Sequence, residues 1–171
     1  MSKSKFSKHS IAVSLLMLLC AKFSSFAQDT ATLSVIGEVT TPLELKLTEL
    51  ATFKQVSHKV KDRNGKEHVF AGVTLIEILE KAGVTTGAKL RGENLAKYLL
   101  ISAADGYEVL YSLAEIDPEF TDQVILLATT KDGQPLGNGE GPFRIITPND
   151  KKPARWIREV RSIKVAFAKI R

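Results

Sequence analysis

The chain has 171 residues with 24 Lys and Arg, 19 Asp and Glu and a single cysteine, for a formal charge of +5. Four of the bases (Lys3, Lys5, Lys8 and Lys22) lie in the first 27 residues, which hold no acid, so the other 144 carry 20 bases against 19 acids, or +1. The basic pI therefore gives no argument for nucleic-acid binding, and the lone Cys20 excludes a disulfide framework.

The amino terminus reads as a secretory leader. Three lysines precede an apolar run, Ile11 to Ala21, and Ser25-Phe26-Ala27 places small residues at the −3 and −1 positions of a cut after Ala27. The run is shorter than the roughly 20 residues a membrane span requires. Residues 1–27 are thus expected to be a signal peptide and 28–171 a single exported domain, periplasmic or secreted, with no membrane span after cleavage. An uncleaved anchor is the alternative. Leu19 is too bulky for a lipoprotein site at Cys20. The remaining residues then contain no cysteine.

Leu33 to Gly37 and Pro42 to Leu47 alternate apolar and polar residues, as half-buried strands do. Thr48 is placed to cap a single helical turn. Phe53 to Asp62 and Lys66 to Ala71 are two extended runs joined by Arg63-Asn64-Gly65, a hairpin signal. Gly72 reads as the end of the second. Thr74 to Glu77 has the capping-box spacing. Leu75, Ile78, Leu79 and Ala82 share one helical face, and Gly83 closes the helix.

Val84 to Asn94 is a connection. Tyr98 to Ala103 and Tyr107 to Ser112 form a second hairpin across Ala104-Asp105-Gly106. Ser112 to Glu115 repeats the capping-box spacing, and Pro118 ends that short helix. Gln123 to Thr129 is apolar on both faces, as a central strand is. Lys131 to Pro135 is a turn. Phe143 to Thr147 and Val160 to Phe167 are the last strands. Short links between strands predict an α+β fold of mainly antiparallel strands with two or three short helices. Without regular strand–helix alternation, a doubly wound nucleotide fold is disfavoured.

Four segments carry a family resemblance. They are Asp132-Gly133-Gln134-Pro135-Leu136; Gly141-Pro142-Phe143-Arg144-Ile145-Ile146-Thr147-Pro148; Arg155-Trp156-Ile157; and Ile163-Lys164-Val165. With Gly72-Val73-Thr74-Leu75 and Ala103-Ala104-Asp105-Gly106-Tyr107, their order and spacing resemble the molybdopterin-binding domain of the sulfite oxidase family. The match runs from about Leu33 to Val165. It implies that family's fold and a molybdopterin cofactor. In the catalytic members a cysteine thiolate shortly before the Gly72-type segment holds molybdenum. Here that region reads Val56-Ser57-His58-Lys59-Val60-Lys61-Asp62-Arg63-Asn64, without cysteine. A hydroxyl or amine does not replace a soft thiolate. The chain is also expected to lack the second, dimerising domain of the full enzymes.

Candidate binding residues cluster between Lys131 and Val165. Gly139 and Gly141, with Gly137, could form an anion-binding nest of backbone amides; a long hairpin loop is the plain alternative. Arg144 lies in an apolar strand and faces either a cleft or a buried acid. Arg155-Trp156 matches the family's Lys-Trp pair near the cofactor pocket. Arg155, then Lys151 and Lys152, suit charge-assisted bonds to an anion, with simple solvation as the alternative. Trp156, the one tryptophan, is a candidate for either the pocket or the core. His58 and His68, on facing hairpin arms, would need a third ligand to hold zinc, and Asp62 and Glu67 nearby leave room only for a weak surface site. No catalytic residue is assigned.

The expected function is an exported binding domain with a sulfite-oxidase-like pocket for a small anionic ligand or a periplasmic partner protein, without molybdenum redox catalysis. The alternative is a molybdopterin-dependent periplasmic oxidoreductase or electron-transfer component.

Overall fold

The computed structural model describes residues 31–168; the signal peptide expected over residues 1–27 lies outside them. In chain order the elements are β1 (Thr32–Gly37), β2 (Leu43–Lys46), α1 (Leu47–Leu50), β3 (Val56–Lys61), β4 (Glu67–Thr74), α2 (Leu75–Lys81), β5 (Lys97–Ala103), β6 (Glu108–Ser112), β7 (Leu126–Lys131), β8 (Gln134–Pro135), β9 (Arg144–Ile146) and β10 (Val160–Phe167). Single 3₁₀ turns include Leu113–Glu115 and Pro153–Arg155. This is the expected α+β fold.

The strands form two sheets. The first has the order β2-β1-β10-β5-β6; only its β1–β10 pair is parallel. The second has the order β3-β4-β7-β8, with β9 also paired to β7, and is antiparallel throughout. A large core joins Leu33, Ile101 and Ile163 of the first sheet to Val73, Leu127 and Ile145 of the second and to Leu75, Ile78 and Leu79 of α2. A smaller core lies across the second sheet. There Val60, Phe70, Leu126, Ala128 and Ile146 are covered by Leu136 and Trp156. β7 therefore has Leu127 in one core and Leu126 in the other, which is why its sequence is apolar on both faces.

Turn chemistry follows the local sequence. Gly65 has φ +79°, and the Asp62 carboxylate accepts from the amides of Asn64 and Lys66 at 2.8 and 2.9 Å, fixing the β3–β4 turn. Ser112 accepts from the Glu115 amide while Glu115 accepts from the Ser112 amide, so this capping box forms.

Three local expectations are corrected. Gly72 does not end a strand, since β4 runs through it to Thr74. A Cβ at Gly72 would lie 2.0 Å from the Leu127 carbonyl oxygen, so the missing side chain lets β7 approach at a bulge. The Thr74 hydroxyl makes no cap bond, and Glu77 accepts instead from the Lys54 amide at 2.9 Å. In the first helical turn Thr48 lies within α1, and the Glu49 carboxylate binds the Lys46 amide at 2.7 Å.

Candidate functional site

The smaller core has a polar rim, and that rim holds a cleft. Its cavity of about 330 Å³ is lined on one side by Asp62, Arg63 and Asn64 of the β3–β4 turn. Lys131, Glu140, Arg144 and Arg158 line the other side, and Phe70, Pro153 and Trp156 complete the walls. Four bases face two acids, a net of +2. A second groove of about 650 Å³ shares Asp62, Arg63, Pro153 and Trp156 with the first. It continues between Val60 and Lys61 of β3 and the loop carrying Pro148, Asp150, Lys151 and Lys152.

Arg144 is the central side chain. Phe143 and Ile145 enter the large core, so strand alternation turns Arg144 onto the opposite face, where it is only 7% exposed. Its Nη1 lies 3.0 Å from Glu140 Oε1, and its guanidinium lies 5.3 Å from the Phe70 ring centroid. Lys131 Nζ approaches the same Glu140 oxygen at 3.6 Å. Arg144 thus meets both of its alternatives: it faces a cleft and pairs with an acid. Its Nε is buried without a hydrogen-bond partner. Burial pushes the guanidinium's pKa down, Glu140 opposes this, and Arg158 adds to it. A buried donor without an acceptor is costly.

Arg155 behaves differently from expectation. Its Nε and Nη2 grip both oxygens of Asp150 at 3.0 and 2.8 Å, and its Nη1 meets Glu115 Oε1 at 2.8 Å. Its guanidinium also stands 4.3 Å over the Tyr111 ring. These bonds raise its pKa, Asp150 first among them. The fork that suits an anion is occupied by the protein's own carboxylates, and Arg155 lines neither cavity. Lys151 and Lys152 are exposed on the outer groove.

Trp156 combines both of its candidate roles. It is 6% exposed, and its indole Nε1 donates to the Thr147 carbonyl at 3.0 Å. Its ring meets Phe70 edge-on with centroids 6.4 Å apart. One side closes the small core and another lines both cavities.

The glycine loop does not form an open nest. The amides of Glu140 and Gly141 both donate to the Gly137 carbonyl, at 3.1 and 3.0 Å. Gly139, at φ +76°, is exposed, and Gly141 is buried before a cis bond to Pro142. The loop's contribution is to carry Glu140 to Arg144.

Buried Tyr111 donates to the Arg155 carbonyl at 3.0 Å and shares a hydrogen bond of 2.8 Å with Thr147. Burial pushes its phenol up to about 12, against the opposing pull of Thr147 and Arg155. In a spectrophotometric titration at 295 nm, one of the three tyrosines should ionise near that value, later than an ordinary phenol.

His68, not His58, is the engaged histidine. It is 8% exposed, with Nδ1 2.6 Å from Asp132 Oδ2 and Nε2 3.4 Å from Asp62 Oδ2. It joins the β3–β4 turn to the β7–β8 turn. Among the described residues no group of three or more His, Cys, Asp or Glu is arranged to hold a metal. Both carboxyls titrate below their usual 3.8. For Asp62, burial opposes the shift, but the Lys66 and Asn64 amides and His68 outweigh it. For Asp132, the Val69 amide leads and His68 follows. Depressed carboxylates contribute stability that is complete above their unfolded pKa and is lost as pH falls through the folded one. Urea midpoints should therefore drop below about pH 4, and His68→Gln should make that drop shallower without removing it.

The sequence reading missed Asp62, Arg63, Asn64, Lys131, Glu140 and Arg158. It recognised their turns as turns, but nothing local says that residues 62–64, 131–144 and 153–158 converge.

The family description "oxidoreductase molybdopterin binding domain" matches residues 21–169. The chain belongs to that family. No curated protein matches this member. Among solved structures, the sulfane dehydrogenase SoxCD from Paracoccus pantotrophus is similar, with a TM-score of 0.65 at 18% identity. That likeness, which concerns the fold, covers 83% of this chain and 39% of the other.

The family implies a molybdopterin, and the residues fit it only in part. The net positive inner cleft and the unpartnered Arg144 Nε suit an anionic group. The donor set does not suit molybdenum. β3, just before the Gly72 segment, offers Ser57 and His58 but no thiolate, and the described residues contain no cysteine. No redox step is derived through the metal.

Proposed function

We propose that this molybdopterin-binding-family domain is an exported binding module whose cleft takes a small anionic ligand without molybdenum redox catalysis. The observation that carries this reading is Arg144, a buried guanidinium in the wall of a cleft of net positive charge. A phosphate or carboxylate oxygen there would pair with the guanidinium by a charge-assisted bond. Export rests on the leader-like residues 1–27.

The test begins with protein purified from cells that make the cofactor, assayed for molybdenum and for pterin fluorescence. The proposal expects no stoichiometric molybdenum. One molybdenum per chain would overturn it in favour of the second reading, a molybdopterin-dependent periplasmic oxidoreductase or electron-transfer component, which family membership supports. A titration with inorganic pyrophosphate, followed by Trp156 fluorescence, then reports the cleft. Arg144→Gln should weaken that binding by about 1.5–3 kcal/mol, or roughly 10- to 150-fold. Equal affinity in parent and variant would place the ligand elsewhere.

A further inference from the structure

We infer that the outer groove, along the free edge of β3, is a docking site for an extended acidic peptide segment of a partner protein. This deepens the proposed function and rests on reading the groove as anion-binding.

Three observations converge. First, β3 is an edge strand: β4 pairs with one side, and no described strand pairs with the other. An edge exposes amides and carbonyls that a second chain can complete by strand addition. Second, the groove of about 650 Å³ runs beside Val60 and Lys61 of this edge, with Lys151 and Lys152 across from it and Arg63 at its end. A chain lying along β3 therefore passes between two basic walls.

Third, the acids in this groove are already engaged. Asp150 is held by Nε and Nη2 of Arg155, and Asp62 by two turn amides and His68. The four bases Lys61, Arg63, Lys151 and Lys152 form no ion pair among the described residues. The unneutralised charge is positive and lies on both sides of the groove. Charge complementarity selects an acidic partner, and the edge selects an extended one. Lysines on an edge strand also discourage pairing between two copies of this chain, which argues against a second copy as the occupant.

The probe is a fluorescein-labelled decapeptide alternating Glu and Thr, measured by anisotropy on the purified chain. Binding is expected to weaken steeply with salt and by about tenfold or more in the Lys151→Glu, Lys152→Glu double variant. Both side chains are exposed, so folding should survive, as circular dichroism can check. The same peptide N-methylated at alternate amides loses donors for strand pairing without any change in the protein, and should bind at least several-fold more weakly. A Lys/Thr decapeptide should not bind.

Three results would overturn the inference. One is no binding of the Glu/Thr peptide. Another is binding indifferent to both the double variant and N-methylation. A third is binding to phosphatidylglycerol vesicles in its place. If pyrophosphate still binds through Arg144 while the acidic peptide does not, the docking site fails and the proposed function stands. If neither binds, both fail.

Discussion

Arg155→Ala should lower stability by about 2–3 kcal/mol while leaving pyrophosphate affinity nearly unchanged. Removing one partner of a fully buried ion pair costs about 3–5 kcal/mol. Here Arg155 is 31% exposed and Asp150 17%, so solvent screens part of the loss. Asp150 loses two charge-assisted bonds together, while Glu115 retains the Ser112 amide. The guanidinium that shields the Tyr111 ring is lost as well. For a domain of this size the melting temperature should fall by about 6–12 °C. Arg155→Lys should recover less than half of this, because an ammonium cannot grip both Asp150 oxygens as a planar fork does. A denaturation midpoint within about 0.5 kcal/mol of the parent would contradict the assignment. A large loss of pyrophosphate affinity in a folded variant would return Arg155 to the binding site.

Gly72→Ala should be more damaging, by about 3 kcal/mol or more. The added Cβ would stand 2.0 Å from the Leu127 carbonyl oxygen and 2.8 Å from Ala128 Cα. Both are backbone atoms of β7, so no rotamer change relieves the clash. The strands must move apart where β4 carries Phe70 into the small core and Val73 into the large one. Both cores are loosened together, and Phe70 shifts beneath Arg144. Urea unfolding of the variant measures the effect. A cost below about 1 kcal/mol would mean that the strands separate easily at the bulge. Gly65→Ala is the control. An alanine there is disfavoured by the positive φ, but no atom lies within 4 Å of the added Cβ, so its cost should be about 1 kcal/mol.

Much of the fold could be read from neighbouring residues. Arg63-Asn64-Gly65 and Ala104-Asp105-Gly106 made their hairpins because Gly65 and Gly106 supply the positive φ those turns require. Gly83, at φ +72°, closed α2 for the same reason. The family segments around Arg144 and Trp156 were visible as well, and they located the wall of the cleft.

What was misread depends on groups far along the chain. Thr74 and Glu77 have the capping-box spacing, but Glu77 meets the Lys54 amide, 23 residues away. Gly72 looked like a strand end because the approach of β7 leaves no local mark. Arg155 and Arg144 are both arginines among apolar neighbours. Asp150 and Glu115 occupy the first, 5 and 40 residues distant. Glu140 takes only one corner of the second.

Turn residues, strand alternation and the absence of cysteine after Cys20 follow from the order of amino acids, since backbone preference and ligand chemistry are local properties. Which arginine keeps a donor for a ligand was decided by the tertiary structure. A guanidinium's availability depends on which carboxylates the packed chain brings within about 3 Å, and sequence spacing does not record that distance.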